Sequence, residues 1–233
     1  MQNKREWMKS HLYKDLELTT EEVTWIGTRF LGHGSYGAAG LWVNCDARNT
    51  IMDRMVAKEA SPNVLAWKCP DEWRDKLPRE IRMHELIDST RTESSHLNLI
   101  KHRGYRLMME AGRYRLFLDL CDGGPLADAL RNYWHDPARQ FNKRLPEWFI
   151  WHLFKGMVDA CLVLEQGDLH SKVDGWKPLV HNDLHLGNVM LRYGGEGYVS
   201  IAISKSSKLI LTTSAGAGYR VVRLWKNILR LAS

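Results

Sequence analysis

Read by the spacing of its apolar positions, the chain falls into two halves of different character. WIGTRFLGHGSYGAAGLWV (25–43) carries two short apolar stretches around a glycine cluster, the pattern of a β-hairpin with a Gly-rich turn. IMDRMVAKEA (51–60) reads as a third strand. From Pro78 to Ile87 a proline stands early, and Ile81, Met83, Leu86 and Ile87 recur at helical spacing, which predicts a helix. TRTESSH (90–96) reads as a polar loop, and residues 99–120 as two strands joined by a turn at Glu110–Gly112. CDGGP (121–125) is a turn or linker signal, with Pro125 as the first residue of a helix through Trp134. Residues 146–165 give the longest helical pattern, apolar on most sides and so expected to be buried. Val180–Leu191 reads as a tight loop between apolar pieces. The order implies an α+β organisation in two lobes: a β-rich first half with one helix, a helical second half, and a seam near Cys121–Gly124. No internal repeat is visible.

Length and composition narrow this picture. The 233 residues suit one domain or a compact two-lobed one, and 44% hydrophobic with 26% charged residues is ordinary globular composition. No apolar run approaches the ~18 residues of a membrane span, and the charged N-terminus has no apolar core of the kind a signal peptide needs. The four cysteines, Cys45, Cys69, Cys121 and Cys161, lie far apart with no C-x-x-C pair. They read as free thiols in a reducing, intracellular compartment, cytoplasmic or nuclear, rather than as zinc ligands. The net charge of +6 belongs to the tail. Residues 197–233 hold six basic residues and no acidic one, leaving 27 of each sign before them. The body therefore shows no basic face for nucleic acid.

Three groups of residues carry candidate chemistry. Gly32, Gly34 and Gly37 match G-x-G-x-x-G, which alone is either a glycine-rich hairpin turn or a cradle of backbone N–H groups for phosphates. A dinucleotide fold would need a helix next and an acidic residue ~20 positions later. A strand-like AAGLWV follows instead, and then Lys58 within Met-Val-Ala-Lys. A strand lysine behind a glycine-rich hairpin suits a nucleoside triphosphate, with a helix glutamate to hold the ammonium; Glu80 is available for that part. Third, His181-Asn-Asp183-Leu-His185-Leu-Gly-Asn188 sets an aspartate five residues before an asparagine. Asp183 is suited to accept a hydroxyl proton and Asn188 to ligate a metal; the plainer alternative is an Asx-rich loop bonded to its own backbone.

Taken together, these residues resemble a eukaryotic-type Ser/Thr protein kinase domain, from roughly Trp25 to Leu191. The resemblance implies that Gly32, Gly34 and Gly37 form the phosphate loop, that Lys58 and Glu80 are the strand-3 lysine and αC glutamate, and that Asp119–Cys121 form the adenine-facing hinge, with Leu118 guarding the pocket. It implies Asp183 as catalytic base, Asn188 as a Mg²⁺ ligand, and ATP and Mg²⁺ as cofactors. Residues 1–22 are then an extension, 23–120 the N-lobe, 121–196 a partial C-lobe and 197–233 an atypical basic tail.

Several positions depart from that family. Asn182 stands at the usual arginine, His185 at the lysine two residues after the base, and Pro125 where an acidic ribose ligand is common. The form H-x-D-x-H-x-x-N is also similar to aminoglycoside and choline phosphotransferases. YVSIAISKSS (198–207) occupies the Asp-Phe-Gly region with Ser204 at the aspartate, and no aspartate follows Asp183. Glu196 lies too close to Asn188 to replace it. The activation segment, the substrate platform and the central buried helix of the C-lobe are expected to be missing. The expectation is therefore ATP binding with impaired phosphotransfer to protein Ser/Thr; the alternatives are a non-catalytic pseudokinase module that binds partners and a small-molecule phosphotransferase. In the tail, residues 219–231 place Val221, Val222, Leu224, Trp225, Ile228, Leu229 and Leu231 on one half of a helical wheel and basic residues on the other. Three readings of that helix stand: a cover for apolar C-lobe surface, a membrane-surface or partner-binding helix, and sequence altered by splicing or reading frame.

Overall fold

The computed structural model describes residues 7–8, 25–34, 37–92, 94–136, 144–193, 199–203 and 209–211. Ser204, Glu196 and the tail helix at 219–231 lie outside them, as does all of 1–22 except Trp7 and Met8. The architecture is α+β. The chain divides into two compact units, one of Met1–Ile81 with Lys101–Leu120 and one of Arg82–Ile100 with Cys121–Ser233.

The first unit is built on a five-stranded antiparallel sheet in the order β1-β2-β3-β7-β6. Its strands are β1 (Trp25–Gly34), β2 (Gly37–Cys45), β3 (Ile51–Ala60), β6 (His102–Met108) and β7 (Arg113–Asp119). The Gly-rich hairpin, the third strand and the pair joined at 109–112 all form as their patterns imply. The register sets Lys58 opposite Ala39 and Leu116, Glu59 opposite Ala38 and Arg115, and Ala60 opposite Gly37 and Tyr114. Side chains alternate across a pleated sheet, so Lys58, Tyr114, Leu116 and Leu118 share one face, while Glu59, Arg115, Phe117 and Asp119 share the other. On that second face, Trp42, Met55, Ala57 and Phe117 form a buried core with Trp7.

Between β3 and the predicted helix the structure adds elements too short to carry a periodicity. They are α1 (Val64–Lys68) and the two-residue strands β4 (Trp73–Arg74) and β5 (Leu77–Pro78). Asn63 caps α1 by accepting the Ala66 N–H at 2.8 Å. Helix α2 (Arg79–Ser89) then begins one residue after Pro78, which closes β5 instead of opening the helix.

In the second unit, α3 (Leu126–His135) and α4 (Glu147–Gln166) accompany β8 (Gly124–Pro125), β9 (Leu179–His181), β10 (Val189–Tyr193), β11 (Val199–Ile203) and β12 (Leu209–Leu211). The strands pair as β11-β10-β8 and β12-β9. Pro125 pairs with Met190 in β8 and stands just before α3, not within it. Its lack of an N–H is tolerated at the edge of a sheet. The core gathers Met83 and Ile87 of α2, Leu99, Leu153 and Met157 of α4, and Val189, Leu191, Ile201 and Ile203.

Helix α4 differs from its expectation of general burial. Leu153, Gly156, Met157, Ala160, Val163 and Leu164 form its buried face, whereas Trp148 and Trp151 are 66% and 57% exposed. One helix face packs against the strands; the Trp151 indole N–H reaches solvent-side Glu147 at 3.2 Å. The loop at 90–96 is polar but not superficial. Ser95 and His96 are buried, and Ser95 Oγ donates to Asp168 Oδ2 at 2.5 Å while Thr90 Oγ1 donates to the Gly167 carbonyl at 2.8 Å. The polar side chains replace water for one another, so the loop pins the C-terminal end of α4.

Candidate functional site: a lysine–glutamate centre and an Asp–Asn loop

In the first unit, β1 and β2 close the glycine-rich hairpin with Gly32 opposite Ala39 and Gly34 opposite Gly37. The glycines do different work. Gly37 has φ +135°, and a Cβ there would sit 1.8 Å from the Glu59 carbonyl oxygen, so no other residue fits. Around Gly32 a Cβ would meet nothing within 4 Å, which leaves that backbone open to close approach by a ligand.

Lys58 on β3 and Glu80 in the first turn of α2 form an ion pair, Nζ to Oε1 2.6 Å. The glutamate side chain is 2% exposed and the lysine 29%, so the ammonium faces outward from a carboxylate that is itself sealed. A buried carboxylate needs all its oxygens matched. The second match is Tyr114 of β7, whose hydroxyl donates to Glu80 Oε2 at 2.7 Å. Burial, together with the Glu80 charge, pushes the Tyr114 hydroxyl far above its ordinary value and keeps it a donor. Tyr114 was not among the residues singled out from the sequence. The signal was the alternation of RYRLFLD, which sets Tyr114 on the lysine's face.

Asp119 ends β7 on the opposite face from Lys58. Its carboxylate accepts from Arg103 Nε at 2.5 Å, and Arg103 Nη1 donates to Asp53 Oδ2 at 2.6 Å. The Asp119 N–H donates to the Lys101 carbonyl at 3.0 Å. The side chain and amide of this expected hinge residue thus secure the strand ends. Cys121, in the second unit, is half-buried, and its carbonyl accepts the Gly124 N–H at 3.1 Å in a turn.

The second unit holds the Asp–Asn loop between β9 and β10. Buried His181 accepts the Asp183 N–H at Nδ1, 3.3 Å away. Asn188 Nδ2 donates to the Asp183 carbonyl at 2.7 Å and lies 3.3 Å from Asp183 Oδ2 and 3.0 Å from His185 Nε2. His185 Nδ1 also accepts the Gly187 N–H at 3.1 Å, opening the 3₁₀ turn Leu186–Asn188. The local turn and the Asx bonding of the plainer reading are therefore both present, and they hold Asp183 and Asn188 side by side. Asn188 turns its amide nitrogen to Asp183 and His185. Mg²⁺ prefers carboxylate, carbonyl and phosphate oxygens, and Asn188 Oδ1 with Asp183 suits it in kind. Among the described residues no three His, Cys, Asp or Glu side chains cluster to hold a metal by themselves.

The structure thus brings Lys58 together with Glu80, and Asp183 together with Asn188, each pair within its own unit. No protein-family profile matches the chain. Serine/threonine-protein kinase Nek9 of Xenopus laevis is 30% identical over 154 residues, 66% of this chain and 14% of that protein. Serine/threonine-protein kinase BCK1/SLK1/SSP31 of Saccharomyces cerevisiae is 24% identical over 197 residues, 83% of this chain and 11% of its own length. The chain spans about a tenth to a seventh of these relatives. Over that stretch, and at low identity, it is similar to serine/threonine protein kinases.

Proposed function

We propose that this chain binds ATP through the Gly32–Gly37 hairpin and Lys58, and that its transfer of phosphate to protein Ser/Thr is impaired. The observation that carries the reading is the Lys58–Glu80 pair with Tyr114 on the other carboxylate oxygen. A sealed glutamate holding a partly exposed strand lysine beside a glycine-rich hairpin serves the α- and β-phosphates of a nucleoside triphosphate. Likeness to two Ser/Thr kinases supports the same assignment. In that reading Asp183 takes the proton of the attacking hydroxyl, the γ-phosphoryl moves to its oxygen, and ADP leaves. Asn188 is the Mg²⁺ ligand, while Ser204 stands where the family's second, anionic ligand stands. A serine brings no charge to a reaction that rests on positioning and electrostatics, so turnover is slow.

The test is thermal unfolding with ATP, with and without Mg²⁺, beside Lys58→Met. Ligand at a hundred times its Kd stabilises by about 2.7 kcal/mol, a readily visible shift. The expected result is a shift in the wild type that Lys58→Met loses and Mg²⁺ changes little. A wild type indifferent to ATP overturns the reading. A second reading, a pseudokinase module that binds protein partners without turnover, is favoured by Ser204 and Asn182. It predicts partner capture that survives Lys58→Met. Deleting residues 219–233 should abolish that capture. Among the described residues no helix is long and apolar enough to cross a membrane.

A further inference from the structure

On the sheet face opposite Lys58, the first unit contains a socket filled by the chain's own Trp7. The indole is 4% exposed although it lies eighteen positions before β1 begins. It meets Trp42 edge-on at 4.9 Å and Phe30 at 5.9 Å. Two glycines make room for Trp7 and the adjoining Met8. A Cβ on Gly40 would lie 2.7 Å from the Trp7 ring, and one on Gly27 would lie 2.4 Å from the Met8 carbonyl. Neither glycine adopts a positive φ; at Gly27 the missing side chain makes room for Met8, and at Gly40 for the Trp7 and Trp42 rings together, each 2.7 Å from where a Cβ would be.

The floor of the socket is a buried ion pair. Arg115 lies with Cζ 5.5 Å from the centre of the Trp7 ring and donates from Nε to Glu59 Oε2 at 2.6 Å. Both side chains are 5% exposed. Arg113 reaches the other Glu59 oxygen at 3.3 Å. Glu59 is also where the nucleotide machinery is anchored. It follows Lys58 on β3, its carbonyl packs against Gly37 of the hairpin, and its cross-strand partner Arg115 adjoins Tyr114, which grips Glu80. A cation over an aromatic face, with water excluded, is held more firmly than one in solvent. Losing the indole wets Arg115 and loosens the β3–β7 register that aims Lys58.

We infer that Trp7 is a positioning residue for the nucleotide site, acting through Arg115 and Glu59 from the opposite face of the sheet. This rests on the proposed ATP site. The test uses the full chain and a non-hydrolysable ATP analogue. Trp7→Glu, whose carboxylate cannot share the socket with Glu59, should bind the analogue at least about fivefold more weakly, the low end of ordinary couplings between sites. Trp7→Phe, which keeps a ring over the guanidinium, should bind near wild type. A synthetic peptide of residues 1–15 added to Trp7→Glu should restore affinity. Because coupling is reciprocal, the analogue should tighten that peptide by the same factor, which a merely structural role would not produce. Should Trp7→Glu unfold at the assay temperature, Trp7→Leu, which fills the socket without a ring, carries the same comparison. Unchanged analogue affinity in the Glu or Leu variant, a Phe variant as weak as either, or a peptide indifferent to the analogue overturns the inference. A wild type that binds no analogue sinks the ATP reading and this coupling with it; unchanged variants beside a binding wild type sink the coupling alone.

Discussion

Glu80 is held from two directions, and that sets what single substitutions do. Its Oε1 faces the Lys58 ammonium and its Oε2 the Tyr114 hydroxyl, in a place where water does not reach the carboxylate. Tyr114→Phe keeps the ring volume and removes one donor, so a buried anion loses part of its compensation. Hydrogen bonds to charged groups contribute about 1.5–3 kcal/mol, and the expected loss of stability is about 2 kcal/mol, read as a lower urea midpoint with an unchanged slope. ATP affinity should fall less in Tyr114→Phe than in Lys58→Met, since the ammonium stays in place. An unchanged midpoint would mean that Glu80 finds another donor. Sequence reading reached Lys58 and Glu80 because each lies in a local pattern, a strand after a glycine cluster and the first turn of a helix. It did not reach Tyr114, Arg103 or the Glu59–Arg115 pair. Those partners lie 34, 50 and 56 positions away along the chain and meet only when β7 and β6 join the sheet.

At the scale of elements, the long strands and helices followed their periodicities, and the departures are local. Two-residue strands and a five-residue helix carry too few positions to display a period, so the segment between β3 and α2 was silent. Helix α4 reads as apolar on most sides because Trp148 and Trp151 add to its apolar positions although they are exposed; its glycine locates the packed face better. Gly156 has Ile201 Cγ1 at 2.5 Å and Asn98 Oδ1 at 3.0 Å from where a Cβ would be. Gly156→Ala gains about 1 kcal/mol of helix propensity. It also forces a methyl against a fully buried isoleucine, and overpacking costs about 1–3 kcal/mol. The clash should win, and Gly156→Val should be worse. In calorimetry the Val variant should melt several degrees lower; an Ala variant that melts higher would show that β11 yields.

At the scale of the whole molecule, the second unit's buried polar loop ties its stability to pH. Ser95 and the His170 N–H hydrogen-bond the Asp168 carboxylate and hold it below the usual carboxylate range. An acid with a depressed folded value stabilises the fold above its ordinary value of ~3.9, and that contribution fades as pH falls through the lower one. The cost of Ser95→Ala, measured from urea midpoints, should therefore be largest near neutral pH and shrink below about pH 4. An equal cost at both ends would assign it to packing alone. What the sequence determined by itself was what neighbouring residues dictate: the glycine hairpin, the major strands and helices, the α+β order, and the residue types at Lys58, Glu80, Asp183 and Asn188. What only tertiary structure decided was which groups complete them. Tyr114 closes on Glu80, Arg103 holds Asp119, Ser95 grips Asp168, and Trp7 fills a socket beside Trp42, Phe30 and Gly40. The reason is physical. Local periodicity reports which face of an element is apolar, whereas the matching of a buried charge depends on strands that meet only after the chain has folded.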